Sequence, residues 1–319
     1  MHEFHLINKY FSKLSNKNKG SLNLNDDVFF DKSKRLVVSV DTYVEGIHFI
    51  NFKKPDLVIK KIIRSSISDI ICKGVEPKYY FISGSGNKKS FSFSNLKKIS
   101  KSLKEEQSKY NIFLCGGDTV FSNKLSFTIT SVGFSQRIIH RNNAKLNDDI
   151  YVTGNLGDSF AGLKILKKNI YLNKTLNKYF ENKYYLPNLY LQLSNKLFKF
   201  ANTSIDISDG LVADLEKLIN KQKLSYKLSL NNIPISKNLK KLLIKKKFDK
   251  ISYISQGDDY QILFTANSSK SRIINKIAKG LGIKISKIGK ICSSQQKSQI
   301  IDEKGKKIAV KIKGYSHRF

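Results

Sequence analysis

The chain has 319 residues, 40% of them apolar, which suffices for two domains that each bury a core and excludes a disordered polymer. Its 58 Lys+Arg outnumber 25 Asp+Glu to give a formal net charge of +33. No apolar run approaches the roughly 18 residues of a membrane span, and three cysteines without a C-x-x-C pair fit reduced thiols better than a disulfide framework or a zinc site.

In chain order, a helix is expected over residues 4–14, where Ile7, Phe11 and Leu14 recur at helical spacing. Strands follow at 28–30 and 35–41 around a polar turn. The next helix starts at Pro55, a good first-turn residue, and stops at Gly74, a good C-cap with Pro77 beyond it. A strand at 79–83 leads to a helix face marked by Leu96, Ile99, Leu103 and Tyr110. A strand at 112–115 should then close on the glycines Gly116 and Gly117. Alternating residues at 125–134 predict a long sheet strand. The polar, aperiodic stretch 137–149 reads as a boundary, dividing the chain into domains 1–137 and 138–319.

The second half restarts with a strand at 150–153 and a helix after Gly157-Asp158-Ser159. Another helix follows Pro187, then a short strand into Asp206 and a helix with Leu211, Leu215 and Leu218 on one face. Strands are expected at 224–230, 260–265, 285–291 and 308–312, with a helix at 270–281. Mixed strands and helices in both halves give two tandem domains of α/β or α+β class.

The basic excess is spread along the whole chain in pairs and triplets such as Lys245-Lys246-Lys247, with no nucleic-acid-binding signature beside it. It reads as compositional bias rather than a nucleic-acid surface. The start, Met1-His2-Glu3-Phe4-His5, lacks the basic and apolar regions of a signal peptide, and the free thiols suit a reducing cytoplasm.

The few acids are the informative residues. They recur beside Gly, Ser and Thr: Asn25-Asp26-Asp27, Ser39-Val40-Asp41-Thr42, Ser68-Asp69, Gly116-Gly117-Asp118-Thr119, Asp206-Ile207-Ser208-Asp209-Gly210 and Gly257-Asp258-Asp259. Carboxylates on small-residue turns suit hard cations such as Mg²⁺, the usual holder of nucleotide phosphates. An ATP-using enzyme follows, although neither a P-loop nor the kinase Gly-rich, H-R-D and D-F-G set is present.

The ordered segments SVDTYVEGIHF (39–49), SDIICKGVEP (68–77), GGDT (116–119), YVTGNLGDSFAG (151–162), DISDGL (206–211) and GDDYQILFT (257–265) resemble the thiamine-monophosphate kinase family. That family shares a superfamily with aminoimidazole ribonucleotide synthetase and selenophosphate synthetase. The resemblance implies a two-domain PurM-like architecture, the N-terminal domain forming a β-barrel across a homodimer and the C-terminal domain α/β. It implies several Mg²⁺ ions on Asp27, Ser39, Val40 (through its carbonyl), Asp41, Asp69, Asp118, Asp206 and Asp209. Of these, Asp41, Asp118 and Asp209 would be the catalytic carboxylates. ATP would meet Tyr110, Gly117, Asp118, Arg141 and Ser208, and thiamine monophosphate would meet His48, Asp258 and Tyr315. The chain departs from the family pattern at Asn25 (usually Gly), Phe121 and Asp258 (usually Glu). The alternatives are another ATP-dependent synthetase of the superfamily and a basic nucleic-acid-binding protein on the same scaffold.

Overall fold

The computed structural model describes residues 3–317; residues 1, 2, 318 and 319, at the outer ends of the two expected domains, lie outside the described residues. The first segment departs from expectation. After α1 (Glu3–Leu6) the chain runs through a π-type turn (Ile7–Phe11) and a 3₁₀ turn (Ser12–Ser15) instead of one regular helix. Tyr10, Phe11 and Leu14 are exposed, so no buried stripe holds the α-helical period there.

The N-terminal sheet is built from β1 (Phe29–Asp31), β2 (Leu36–Val44), β3 (Pro77–Gly86), β4 (Phe113–Phe121) and β5 (Ser126–Phe134) in the order β1-β2-β5-β3-β4. All neighbours are antiparallel except β3 and β4. It is an open sheet in the single chain, with β1 and β4 at its edges. The glycines expected to end a strand at 115 lie inside β4, where Gly117 pairs with Ile82 and Asp118 with Ser83. A Cβ on Gly117 would fall 1.7 Å from the Ile82 carbonyl oxygen, so glycine serves close strand approach there rather than a turn.

One face of this sheet is covered by α2 (Pro55–Cys72), and α3 (Phe93–Tyr110) packs against α2. Pro55 starts α2 and Gly74, at φ 82°, ends it, as the sequence predicts. The helix is buried on nearly every face because β2 and β5 lie on one side and α5 (Lys174–Tyr185), α6 (Leu191–Leu197) and β7 (Thr203–Asp206) on the other. A single apolar cluster therefore joins Ile59, Ile63 and Ile67 of α2 to Tyr184, Leu197 and Phe264 of the second half. Each such side chain contributes roughly 1.5–3 kcal/mol on burial, so α2 ties the two halves together.

The second sheet also uses β6 (Asp149–Thr153), β8 (Leu224–Ser229), β9 (Ile262–Ala266), β10 (Ile285–Ser293) and β11 (Gln299–Ile301), in the order β11-β8-β10-β6-β9-β7. Around it lie α4 (Asp158–Leu166), α7 (Leu211–Leu218), α8 (Lys237–Lys246), α9 (Lys250–Ile254) and α10 (Ser271–Leu281). Helices α5 and α8 escaped the sequence reading because Lys and Asn interrupt their apolar stripes, and α9 because its five residues are too few to show a period. The expected strand at 308–312 is not one. Ile308 and Val310 rest on the core, but the backbone makes only an isolated bridge, Ile301 to Lys307.

Candidate active site

Three elements converge at the end of α2. Asp69 lies on its last turns, Asp206 ends β7 and Asp27 sits in the turn before β1. One carboxylate oxygen from each lies within 4.8 Å of the others, a grouping that among the described residues stands out as able to hold a metal ion. Strand alternation turns Ser39, Asp41 and Tyr43 toward α2 and leaves Val40 60% exposed on the opposite face. Ser39 Oγ donates to Asp69 at 2.5 Å, Ser68 Oγ to Asp206 at 2.7 Å and Tyr43 O–H to Asp41 at 3.2 Å. Burial pushes Asp41 up to about 6 and Asp206 up to about 7. It raises Asp69 well above the usual carboxylate range, with Asp41 and Asp206 adding repulsion. Hard, mutually repelling oxygens drawn from water are a donor set suited to Mg²⁺.

Two cations border this group. Lys73, fully buried, reaches Asp26 at 2.7 Å and Asp27 at 2.5 Å and donates to the Ser204 carbonyl at 2.9 Å. Burial disfavours its charge, but Asp26 and its neighbours outweigh this and raise its pKa. Arg141 forks onto Asp27, and its backbone N–H donates to Asp26 at 3.0 Å. Asn25, where the family pattern has Gly, has an ordinary φ of −125° and exchanges amide hydrogen bonds with Asn220. No glycine is required at that position.

The other end of the cleft gathers His48, Asp258 and Tyr315. His48 Nδ1 accepts the Val44 N–H at 3.0 Å, and burial followed by His317 lowers its pKa, so a neutral ring is favoured. Its ring lies 5.2 Å from that of His317, which stands 5.0 Å from the Tyr315 ring. The Tyr315 N–H donates to the Asp209 carbonyl at 2.9 Å. Asp209 itself pairs with Lys217, which also meets Asp214 at 2.8 Å. Asp258 accepts from Lys61 at 2.6 Å, and its N–H donates to the Ser208 carbonyl at 2.8 Å. The DISDGL and GDDY loops are thus laced together between the acids and the aromatic end.

Residues 24–135 match the family described as AIR synthase related protein, N-terminal domain. Over 326 residues the chain is 34% identical to the thiamine-monophosphate kinase of Buchnera aphidicola subsp. Acyrthosiphon pisum, covering 99% of this chain and 98% of that protein. The chain belongs to the thiamine-monophosphate kinase family. The Haemophilus influenzae member is 30% identical over 301 residues, 91% of this chain and 89% of that one. The solved structure described as AaThiL complexed with AMPPCP and TMP superposes with a TM-score of 0.85 at 27% identity, covering 99% of this chain and 97% of that chain.

Not every residue assigned from the family pattern joins the cleft. The sheet register aligns Asp118 with Ser83, Thr128 and Thr42, whereas Asp41 aligns with Ile129, Ile82 and Gly117. Alternation puts Asp118 on the face opposite Asp41, three strands and therefore roughly 14 Å away. Within one chain it stands on an exposed edge strand, apart from the acidic group. Tyr110 is also displaced: its ring is buried at the end of α3, 5.8 Å from the Arg64 guanidinium. Conversely, sequence reasoning missed Lys61, Lys73, Asp214 and Lys217. Asp26 was legible as half of an acid pair. The lysines were not, because nothing local separates a buried one from the many on the surface.

Proposed function

We propose that this chain transfers the γ-phosphoryl group of ATP directly to the phosphate of thiamine monophosphate, giving thiamine diphosphate and ADP. The observation that carries this is the meeting of the Asp27, Asp69 and Asp206 carboxylates in a chain of this family. The structural neighbour bound to AMPPCP, an ATP analogue, and to TMP, which we read as thiamine monophosphate, supports the same pair of substrates. In the reaction the bond from the γ-phosphorus to the ADP oxygen breaks, and an oxygen of the acceptor phosphate bonds to that phosphorus. A phosphate monoester has its second pKa near 6 and is mostly a dianion at neutral pH, so no base must deprotonate it. The obstacle is repulsion between two polyanions.

When bound, Mg²⁺ would neutralise that repulsion and align the phosphates. Asp27, Asp69, Asp206, Asp41 and Asp209, with the Ser39 hydroxyl, are the residues that would hold it. Arg141 and Ser208 would meet the nucleotide phosphates, and Lys73 pairs with Asp26 and Asp27 beside them. His48, Asp258 and Tyr315 would receive the thiamine phosphate. A coupled ADP-release assay with thiamine monophosphate tests the reading. ADP release that depends on this acceptor and on Mg²⁺ is expected, and none at any Mg²⁺ concentration would refute it. A salt-dependent DNA titration run beside it tests the nucleic-acid alternative.

The domain division at 137/138 is part of the same proposal, supported by one sheet lying within 29–134 and the other within 149–301. So is a homodimer whose N-terminal sheets close into a barrel. Every residue of the edge strand β4 is exposed, including Phe113, Leu114, Val120 and Phe121, and an unpaired apolar edge invites pairing. Pairing there would carry Gly117 and Asp118 to a second copy. A cytoplasmic location suits the three free cysteines, and among the described residues no helix is long and apolar enough to cross a membrane.

A further inference from the structure

Asp258 sits on the loop of residues 257–261 in an unfavourable backbone conformation. Asp258 (φ 68°) and Tyr260 (φ 49°) both occupy the left-handed region, which is unfavourable for a non-glycine residue. Such a loop persists only if its surroundings over-determine it. The Asp258 and Tyr260 N–H groups donate to the Ser208 and Ile207 carbonyls, each at 2.8 Å. Gly257 lies so close that a Cβ would fall 1.8 Å from the Ser208 oxygen.

Two further anchors pull from opposite sides. Asp259, 6% exposed, points away from the cleft, and its Oδ2 accepts the Gly157 N–H at 2.8 Å where α4 begins. From α2, Lys61 is 1% exposed and donates to Asp258 Oδ1 at 2.6 Å and to the Tyr184 carbonyl at 3.3 Å. Tyr184 in turn donates its O–H to the His48 carbonyl at 3.2 Å. Asp258 hangs between these anchors, and neither Asp259 nor Lys61 belongs to the acidic group.

We propose that Asp259 and Lys61 are positioning residues that aim Asp258 at the acceptor substrate, Asp259 by tying the loop to α4 and Lys61 by gripping the carboxylate. This rests on the reading above, in which Asp258 meets thiamine monophosphate. Steady-state kinetics of the full-length protein test it. Asp259→Ala and Lys61→Met should each raise KM for thiamine monophosphate at least tenfold, with KM for ATP within twofold. Asp259→Asn, which keeps an oxygen for the Gly157 N–H, should recover most of the loss. In an Asp258→Ala background, Asp259→Ala or Lys61→Met should shift that KM less than twofold, since a residue acting through Asp258 has nothing left to aim. Equal rises in both KM values, no rise, or full additivity in the Asp258→Ala background would overturn the proposal. Should Asp259→Ala fail to fold, Lys61→Met alone and with Asp258→Ala decides the case. An unsubstituted protein inactive on thiamine monophosphate refutes the function itself, whereas an active one with unselective variants refutes only this inference.

Discussion

Asp69 and Asp118 enter the chain with similar local signatures, a carboxylate among small residues, yet the fold gives them opposite surroundings. Asp69 is drawn from water between β2 and β7, hydrogen-bonded by Ser39 and crowded by Asp41 and Asp206. Asp118 stands on an open edge strand, where its carboxylate accepts the N–H of its neighbour Thr119 at 2.7 Å. The first environment is complete within one chain; the second becomes a site only if another surface covers it. A motif therefore marks where a carboxylate can be presented, and packing decides what charge it needs beside it.

The sharpest way to break this comparison is to remove an acid from the closed group. Asp69→Ala or Asp206→Ala should cut turnover by about 10³-fold or more while circular dichroism stays unchanged, because the loss falls on charge neutralisation in the reaction and not on the core. Parent-like turnover in either variant would sink the role of that group. Asp118→Ala should cost about 10²-fold and leave the thermal midpoint unmoved. If Asp118 serves a second copy's cleft, mixing Asp69→Ala with Asp118→Ala chains should restore up to about a quarter of parent activity through dimers that keep one intact site. No recovery after proven subunit exchange would return Asp118 to its own chain.

Smaller effects sharpen the comparison through pH. At saturating substrate the rate should fall up to tenfold per pH unit below about 6, as the acceptor dianion gains a proton and loses its nucleophilic form. A flat profile between pH 7 and 5 would contradict direct attack by the dianion. In metal-free protein the sign for stability is the reverse of ordinary acid denaturation. Asp41 and Asp206, raised from 3.8 to about 6 and about 7, bind protons more tightly when folded. Their stabilisation is present at low pH and lost as pH rises from about 4 to about 7. The thermal midpoint of Asp206→Asn should therefore decline less over that window than that of the parent. Identical slopes would show that Asp206 is not raised.

Much of the site was legible because its acids are rare in so basic a chain and sit beside residues with small side chains. Pro55 and Gly74 marked the ends of α2 because proline and glycine act through their own backbones. The glycines of β4 misled for the same reason: a glycine needed for close strand approach looks locally like one needed for a turn. Lys61 and Lys73 were invisible because burial is not a local property.

Sequence alone determined the kinds of elements, most of their boundaries and a set of candidate carboxylates, since periodicity and backbone chemistry act over a few residues. Only the tertiary structure decided which carboxylates meet. Asp27, Asp69 and Asp206 come together because α2 is wedged between two sheets, whereas the register of β4 against β3 carries Asp118 to the other face. Strand register and helix burial depend on contacts between distant segments, and no local pattern encodes them.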